Sequence, residues 1–364
     1  MLGVLTTIVP ARNTSRRFRS TFQPKAIWNH LARAAHEQGL AVCLFRPEDL
    51  SASSKKVLGM FSEDGATWKR KLGPLPDIVY DNVFVHLAGK RDVLRARRFF
   101  LERGTPLYNP RLGNKTQLAA WLRAYPSLWR HHPKTVPFTQ EEQVFQMLAE
   151  CESLYLKPIS GSAGQGILEI RPADAARYCV RAAKFGNTKQ PYEAELPASE
   201  LKRLLQRERN RCKFILQEGV ELLHIDDGKI DLRTPLQRNR QGKWEQVALI
   251  VKRGRQHSIV SNYHAGGSAH DWAWLQEWAQ EHRISLPGEH EVEELSQRIA
   301  CAYADKAPHL ATLGLDLGID TSGKLWLLDV NARPGRNILD ADQKIRCFEL
   351  HAEFAAYLLD KNKG

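Results

Sequence analysis

The chain of 364 residues contains no run of about 18 apolar residues, so no helix is expected to cross a membrane. Its six cysteines (43, 151, 179, 212, 301 and 347) include no C-x-x-C, which argues against a disulfide framework or a thiolate zinc site and fits reduced structural thiols. No G-x-G-x-x-G marks a dinucleotide fingerprint, and no G-x-x-x-x-G-K-[ST] marks a Walker A loop. Internal repeats of 20–50 residues are absent, which excludes a solenoid. The opening MLGVLTTIVPARNTSRRF sets apolar residues ahead of arginines, the reverse of a secretory signal, and predicts a cytoplasmic protein.

Acidic residues are the scarcer charge: 53 Lys and Arg against 41 Asp and Glu give a net +12. The basic clusters (RRFR, KRK, RARR, RERNR, KRGR) are scattered and accompany no nucleic-acid motif, so a generally basic surface is favoured over a nucleic-acid site. The length suits two or three domains. Residues 1–112 alternate strand and helix signals, with Gly39 and Gly104 placed to end two helices, and predict a small α/β domain.

The stretch Gly314–Arg336, GLDLGIDTSGKLWLLDVNARPGR, reads as a hairpin. GLDLGID predicts a strand carrying Asp316, Thr321–Gly323 a turn, and KLWLLDV a second strand that delivers Asp329. Asn331 lies two residues further on and therefore on the face of Asp329. These are three oxygen donors without sulfur or imidazole, the set a hard cation such as Mg2+ takes. Asp316 alone reads equally well as a solvated carboxylate. Asp329 ends an apolar run expected to be buried, where a carboxylate calls for a partner or a metal.

Upstream, Asn114 is placed to cap a helix starting at Lys115, whose ammonium in the first turn opposes the helix dipole. Thr139 with Glu142 predicts a capping box. Ser153–Lys157 predicts a strand, followed by a loop of small residues (Ser160, Gly161, Ser162, Gly164, Gly166) and a second strand over 167–170. Such a loop can cradle phosphate oxygens beside Lys157, and the same composition suits a plain flexible turn. Residues 175–184 read as helix or outer strand. Phe214–Glu218 predicts a buried strand whose end, from Gln217 and Glu218 to Val220 and Glu221, either offers groups to an adenine and a ribose or is ordinary core. Lys229–Gln237 predicts a strand with Asp231 and Arg233 on one face, and Arg253 ends the strand over 244–253. HSIVSNYHAGGSA, with Asn262, His264 and Gly266-Gly267, fits a ligand-edge loop, and His264 has no partner at zinc-ligand spacing. Trp272, Trp274, Leu275 and Trp278 read as core or subunit contact.

In order, LYLKPISGSAGQGI, FILQEGVEL, IDLRTPLQ, KRG, SNYHAGG and LDLGID…LWLLDVNARPGR resemble the motif series of the ATP-grasp ligases over residues 109–345. IVYDN and HHPKT bring the sequence nearest to the YheC/YheD group of endospore coat-associated ATP-grasp proteins, and the D-x-R and N-x-H-x-G-G segments are similar to those of the RimK-type glutamate ligases. The resemblance implies an α/β (α+β) ATP-grasp fold. An N-terminal α/β pre-ATP-grasp domain would cover 1–112, a central subdomain with the phosphate loop 113–215, and a C-terminal subdomain with the metal site 216–364. It implies that Lys115 and Lys157 meet ATP phosphates and that residues 160–166 close over them. It gives adenine and ribose to Gln217–Glu221, the γ-phosphate and an acyl phosphate to Arg233 and Arg253, and a place near metal and substrate to Asn262. Asp316, Asp329 and Asn331 would hold Mg2+, as two ions, with Mn2+ the substitute. One departure is visible: the second carboxylate is commonly glutamate, and here it is Asp329. The implied activity is carboxylate–amine ligation through an acyl phosphate with release of ADP and phosphate. Its partners would be a carboxylate donor and an amine acceptor, whether amino acid, peptide or protein tail. The alternative is a nucleotide-binding coat or scaffold protein that does not ligate. Coat association is implied by the family name alone, and the oligomeric state is left open.

Overall fold

The computed structural model describes residues 1–10, 22–51, 53, 55–84, 87–110, 112–160, 165–186, 190–255 and 267–362. Three sheets organise these residues. The first contains β1 (Leu2–Leu5), β2 (Val42–Ser51), β3 (Lys56–Ser62), β4 (Lys69–Pro74), β5 (Ile78–Asp81) and β6 (Leu107–Tyr108), in the order β4-β3-β2-β1-β5-β6. β1 pairs in parallel with β2 and β5, and β5 with β6, while β2, β3 and β4 form an antiparallel meander. Parallel strands need cover on both faces, and alternation provides it. Leu2, Val4, Val42 and Leu44 meet helix α1 (Ile27–Glu37) and the C-terminal helix (Ala341–Lys361). Leu5, Cys43 and Phe45 meet helix α2 (Arg91–Glu102). Gly39 and Gly104 follow α1 and α2 with φ of 72° and 68°, the left-handed position that favours glycine after a helix.

Two short helices, α3 (Lys115–Leu122) and α4 (Pro126–Trp129), lead to the second sheet, and the Asn114 side chain caps α3 by accepting from the Gln117 N–H at 3.1 Å. The second sheet is antiparallel, in the order β11-β10-β9-β8-β12-β7. Its strands are β7 (Thr135–Phe138), β8 (Leu154–Pro158), β9 (Leu168–Pro172), β10 (Arg177–Phe185), β11 (Gln190–Pro197) and β12 (Phe214–Glu218). Leu154, Leu156, Leu168, Ile170, Val180 and Leu216 point to helices α5 (Glu142–Leu148) and α6 (Ala198–Arg211). By the two-residue period, Tyr155, Lys157, Glu169, Arg181 and Gln217 occupy the opposite face. The segment 175–184 thus resolves as strand from Arg177 onward, with Ala182 and Ala183 in a two-residue and not a helical period and Ala175 and Ala176 in a bend before it. The capping box also differs from expectation: Gln143, not Glu142, accepts from the Thr139 and Gln140 N–H groups, at 2.7 and 3.0 Å. The expected boundary at 215/216 falls inside β12, which stays with this sheet through Glu218.

The third sheet is built from β13 (His224–Ile225), β14 (Gly228–Arg238), β15 (Trp244–Gln246), β16 (Ile250–Arg253), β17 (Ser268–His270), β18 (Thr312–Ile319) and β19 (Leu325–Asn331). Its main path is β17-β16-β14-β18-β19, with β13 and β15 also paired to β14, so the strand expected over 244–253 is split in two. Ile230, Leu232, Leu313, Leu315 and Leu317 pack against helices α7 (Trp272–Glu281) and α8 (Glu289–Lys306) and against Leu118 and Leu122 of α3. Trp272 and Leu275 are buried here with Trp274 and Trp278 on the margin, which is the core reading of that cluster.

Candidate functional site

The second and third sheets present their polar faces to one cleft. Lys157 of β8 and Gln217 of β12 line one wall, Leu327–Val330 of β19 the other, and Lys115 of α3 with Tyr303 of α8 the floor. The hairpin expected at 314–331 forms as β18 and β19, with Asp316 directly opposite Asp329 and Gly314 opposite Asn331. Both carboxylates and the amide therefore share one face. Arg233 pairs in register with Asp316 on the neighbouring strand and joins them.

These groups hold one another. Lys115 Nζ lies 2.5 Å from Asp329 Oδ1. Arg233 Nη1 donates to Asp316 Oδ2 at 2.9 Å, and Lys252 Nζ to Asp316 Oδ1 at 2.9 Å. Lys252 also lies 2.6 Å from Asp231 Oδ1. Burial alone would raise Asp316, but Lys252 and Arg233 outweigh it and hold the carboxyl below its ordinary range. Burial wins at Asp231, which is pushed up to about 6 against the pull of Lys252. Burial and the neighbouring Lys115 bring Lys157 down to about 8. Its ammonium donates to Gln217 Oε1.

The remaining expected residues fall as follows. Glu218 closes β12, and its Oε2 accepts from the Lys134 N–H at 3.2 Å. Gly219 then turns the chain towards the third sheet, where a β-carbon would lie 1.8 Å from Ser153 Oγ. Val220 is half-buried and Glu221 exposed beside this crossing. Ser160 is exposed at the end of β8, and Gly166 is buried, its N–H bonded to Lys184 O at 3.0 Å. Gly161, Ser162, Gly164 and Asn262 lie outside the described residues. Arg253 is not brought to Asp316. It pairs in register with Ile230 and so takes the opposite phase to Asp231 and Lys252, and its guanidinium lies 3.0 Å from Asp226.

Lys252, which donates to Asp316, was not among the residues expected from the sequence. Lys229 was also missed. It crosses from β14 to Glu169 of the second sheet at 3.0 Å and to the Tyr155 hydroxyl. Glu169, with a side chain 1% exposed, further accepts from Tyr155 at 2.7 Å and Arg171 at 3.1 Å. The loop after Asn331 docks on the first sheet. Arg333 lies 2.9 Å from Asp81, and Arg336 donates to the Tyr80 hydroxyl and to His351 Nε2, both at 2.9 Å. The donors Asp316, Asp329 and Asn331 fit a hard divalent cation: all are oxygens, on one face, and the two carboxylates already draw positive side chains.

The sequence pattern of the family described as YheC/D like ATP-grasp matches residues 104–358. The endospore coat-associated protein YheD of Bacillus subtilis is 26% identical over 93% of this chain and 76% of its own length. The endospore coat-associated protein YheC of the same organism is 23% identical over 91% of this chain and 92% of its own. Among solved structures, a RiPP-associated ATP-grasp ligase from Chryseobacterium gregarium, in complex with ADP and a leader and core peptide, superposes with a TM-score of 0.53 at 11% identity, covering 99% of this chain and 97% of that one. The chain belongs to the YheC/D-like ATP-grasp family and has the ATP-grasp fold.

Proposed function

We propose that this family member is an ATP-dependent carboxylate–amine ligase. The observation that carries the reading is one cleft lined by Lys157, Lys115 and Asp329, with Asp316, Asn331 and Arg233 on the sheet face of Asp329. A triphosphate brings about four negative charges, which such a set of cations and metal donors can offset. Lys157 and Lys115 hold the phosphates, with the chain around Ser160 and Gly166 covering them. Gln217, Glu218, Val220 and Glu221 border the base and ribose. Mg2+ held by Asp316, Asp329 and Asn331 would neutralise phosphate oxygens.

In this reading a substrate carboxylate oxygen attacks the γ-phosphorus and ADP leaves. An amine nitrogen then attacks the acyl carbon, loses a proton and expels phosphate. Arg233 stabilises charge on the transferred group. Arg253 joins it only by leaving Asp226, an exposed pair that is weak in water. Closure of the two sheets keeps water from the acyl phosphate.

The test is release of ADP and phosphate from Mg-ATP with and without pooled amino acids and short acidic peptides. Stimulation by one pool supports ligation, and splitting it identifies the substrate. Metal-dependent ATP binding without stimulation by any pool points to a protein substrate or to the scaffold alternative. No ATP binding overturns the reading.

A further inference from the structure

The back wall of the cleft contains a hydrogen-bond chain whose polarity is fixed from one end. A lysine ammonium can only donate, so Gln217 Oε1 is the acceptor of Lys157. The Gln217 amide nitrogen then donates to Thr135 Oγ1 at 3.0 Å. The Thr135 hydroxyl donates in turn to the Pro133 carbonyl at 2.8 Å. His132 Nδ1 lies 2.8 Å from that same carbonyl, which can only accept, so Nδ1 carries the proton.

The ring is neutral. Burial, assisted by Lys157 and Arg123, brings His132 down to about 4. A neutral ring protonated at Nδ1 has its lone pair on Nε2. No described residue donates to that nitrogen, and the His132 side chain is half-buried. The ring plane is set by Trp129, stacked at 4.7 Å and 10°, with the Arg123 guanidinium 5.0 Å from the same indole. His132 borders the cleft where Ile215, Leu327 and Leu328 make its apolar walls. The result is a flat apolar slot with one fixed, non-titrating acceptor at its margin.

We propose that His132 selects the base: its Nε2 accepts from an exocyclic amine of the adenine 6-amino type, so that the cleft takes ATP in preference to GTP. This rests on the nucleotide reading above. Guanine presents a carbonyl oxygen at the corresponding position, which sets acceptor against acceptor.

The experiment measures binding of ATP, GTP and purine riboside triphosphate, which lacks the 6-amino group, to the full chain with Mg2+. Three forms are compared: wild type, His132→Phe, which keeps a ring on Trp129 without nitrogens, and His132→Gln, which returns an acceptor. Wild type is expected to bind purine riboside triphosphate about tenfold more weakly than ATP, the worth of one hydrogen bond. GTP is expected to bind about 100-fold more weakly, because the mismatch is repulsive. His132→Phe should bind ATP and purine riboside triphosphate alike, and His132→Gln should recover part of the difference. Equal binding of ATP and purine riboside triphosphate by wild type, or full preference retained by His132→Phe, overturns the assignment. The wild-type comparison needs no variant, so a misfolded mutant does not shield the proposal. Binding of none of the three nucleotides removes the nucleotide reading and this inference together, whereas equal binding of all three removes only the role of His132.

Discussion

Lys115 and Asp329, separated by 214 residues, meet at 2.5 Å on the cleft floor. The lysine opens a helix and the aspartate nears the end of a strand, so the pair joins the segment entering the second sheet to the last strand of the third. In the proposed ligase the two have different partners, phosphate for Lys115 and metal for Asp329. Nucleotide and metal therefore replace an existing ion pair and do not enter an unpaired site.

Asp329→Ala should lower Mg-ATP turnover by at least about 100-fold, since even outer partners of a metal site are worth 10–100-fold. ADP release at saturating metal and circular dichroism are the measurements. An unchanged rate in a folded variant would remove Asp329 from the metal set.

Nucleotide affinity should fall as pH rises through about 8, where Lys157 loses its proton. Stability should move the other way. Between about 8 and the ordinary lysine value the unfolded chain binds the extra proton, so unfolding becomes harder as pH rises. Lys157→Arg stays charged and should flatten the affinity profile. Calorimetric titration from pH 7 to 10 reads the trend in both proteins, and identical profiles would show that Lys157 does not face the phosphates.

Lys252→Met should destabilise the fold by about 3–5 kcal/mol, because two carboxylates at low exposure, Asp231 and Asp316, lose their shared cation. Arg253→Met removes a pair whose aspartate is 64% exposed and should change stability by less than about 1 kcal/mol. Urea melts separate the two. If Arg253→Met nonetheless lowers ligation in a fully stable protein, its part lies in the chemistry.

Lys229→Met should also weaken the fold, by about 2–3 kcal/mol, less than a lost sole partner because Tyr155 and Arg171 still serve Glu169. Glu169→Leu added to Lys229→Met should restore much of the loss, since a buried ion pair is often replaceable by apolar packing. Thermal melts of both variants check this, and a double variant as unstable as the single would place the loss outside the pair.

The hairpin over 314–331 was legible because a two-residue period states which side chains share a face, and Asp329 with Asn331 needs nothing more. The step from Arg233 to Lys252 was not. Telling which of two adjacent basic residues reaches Asp316 requires the register of β16 against β14, where Lys252 stands opposite Asp231. Glu169 and Lys229 sit in different sheets, and no local pattern links residues 60 apart. The 175–184 segment stayed open between helix and strand because alanine serves either, and the strand shows only in Val180 and Arg181 alternating in and out. His132 was visible in HHPKT, but its usable nitrogen emerges only from the chain of donors behind it.

Arg333 and Arg336 bind the loop that follows Asn331 to Asp81 and Tyr80 at the carboxyl end of β5. Displacing either residue of the first sheet is expected to drag on the backbone that carries Asn331, a metal donor in the proposed ligase. A molecule resting against Tyr80 and Asp81 and a cation resting on Asn331 would therefore exchange free energy, each altering the hold on the other by the same factor. In the proposed ligase the first sheet is in this sense a second input to the metal site, wired through two guanidinium groups.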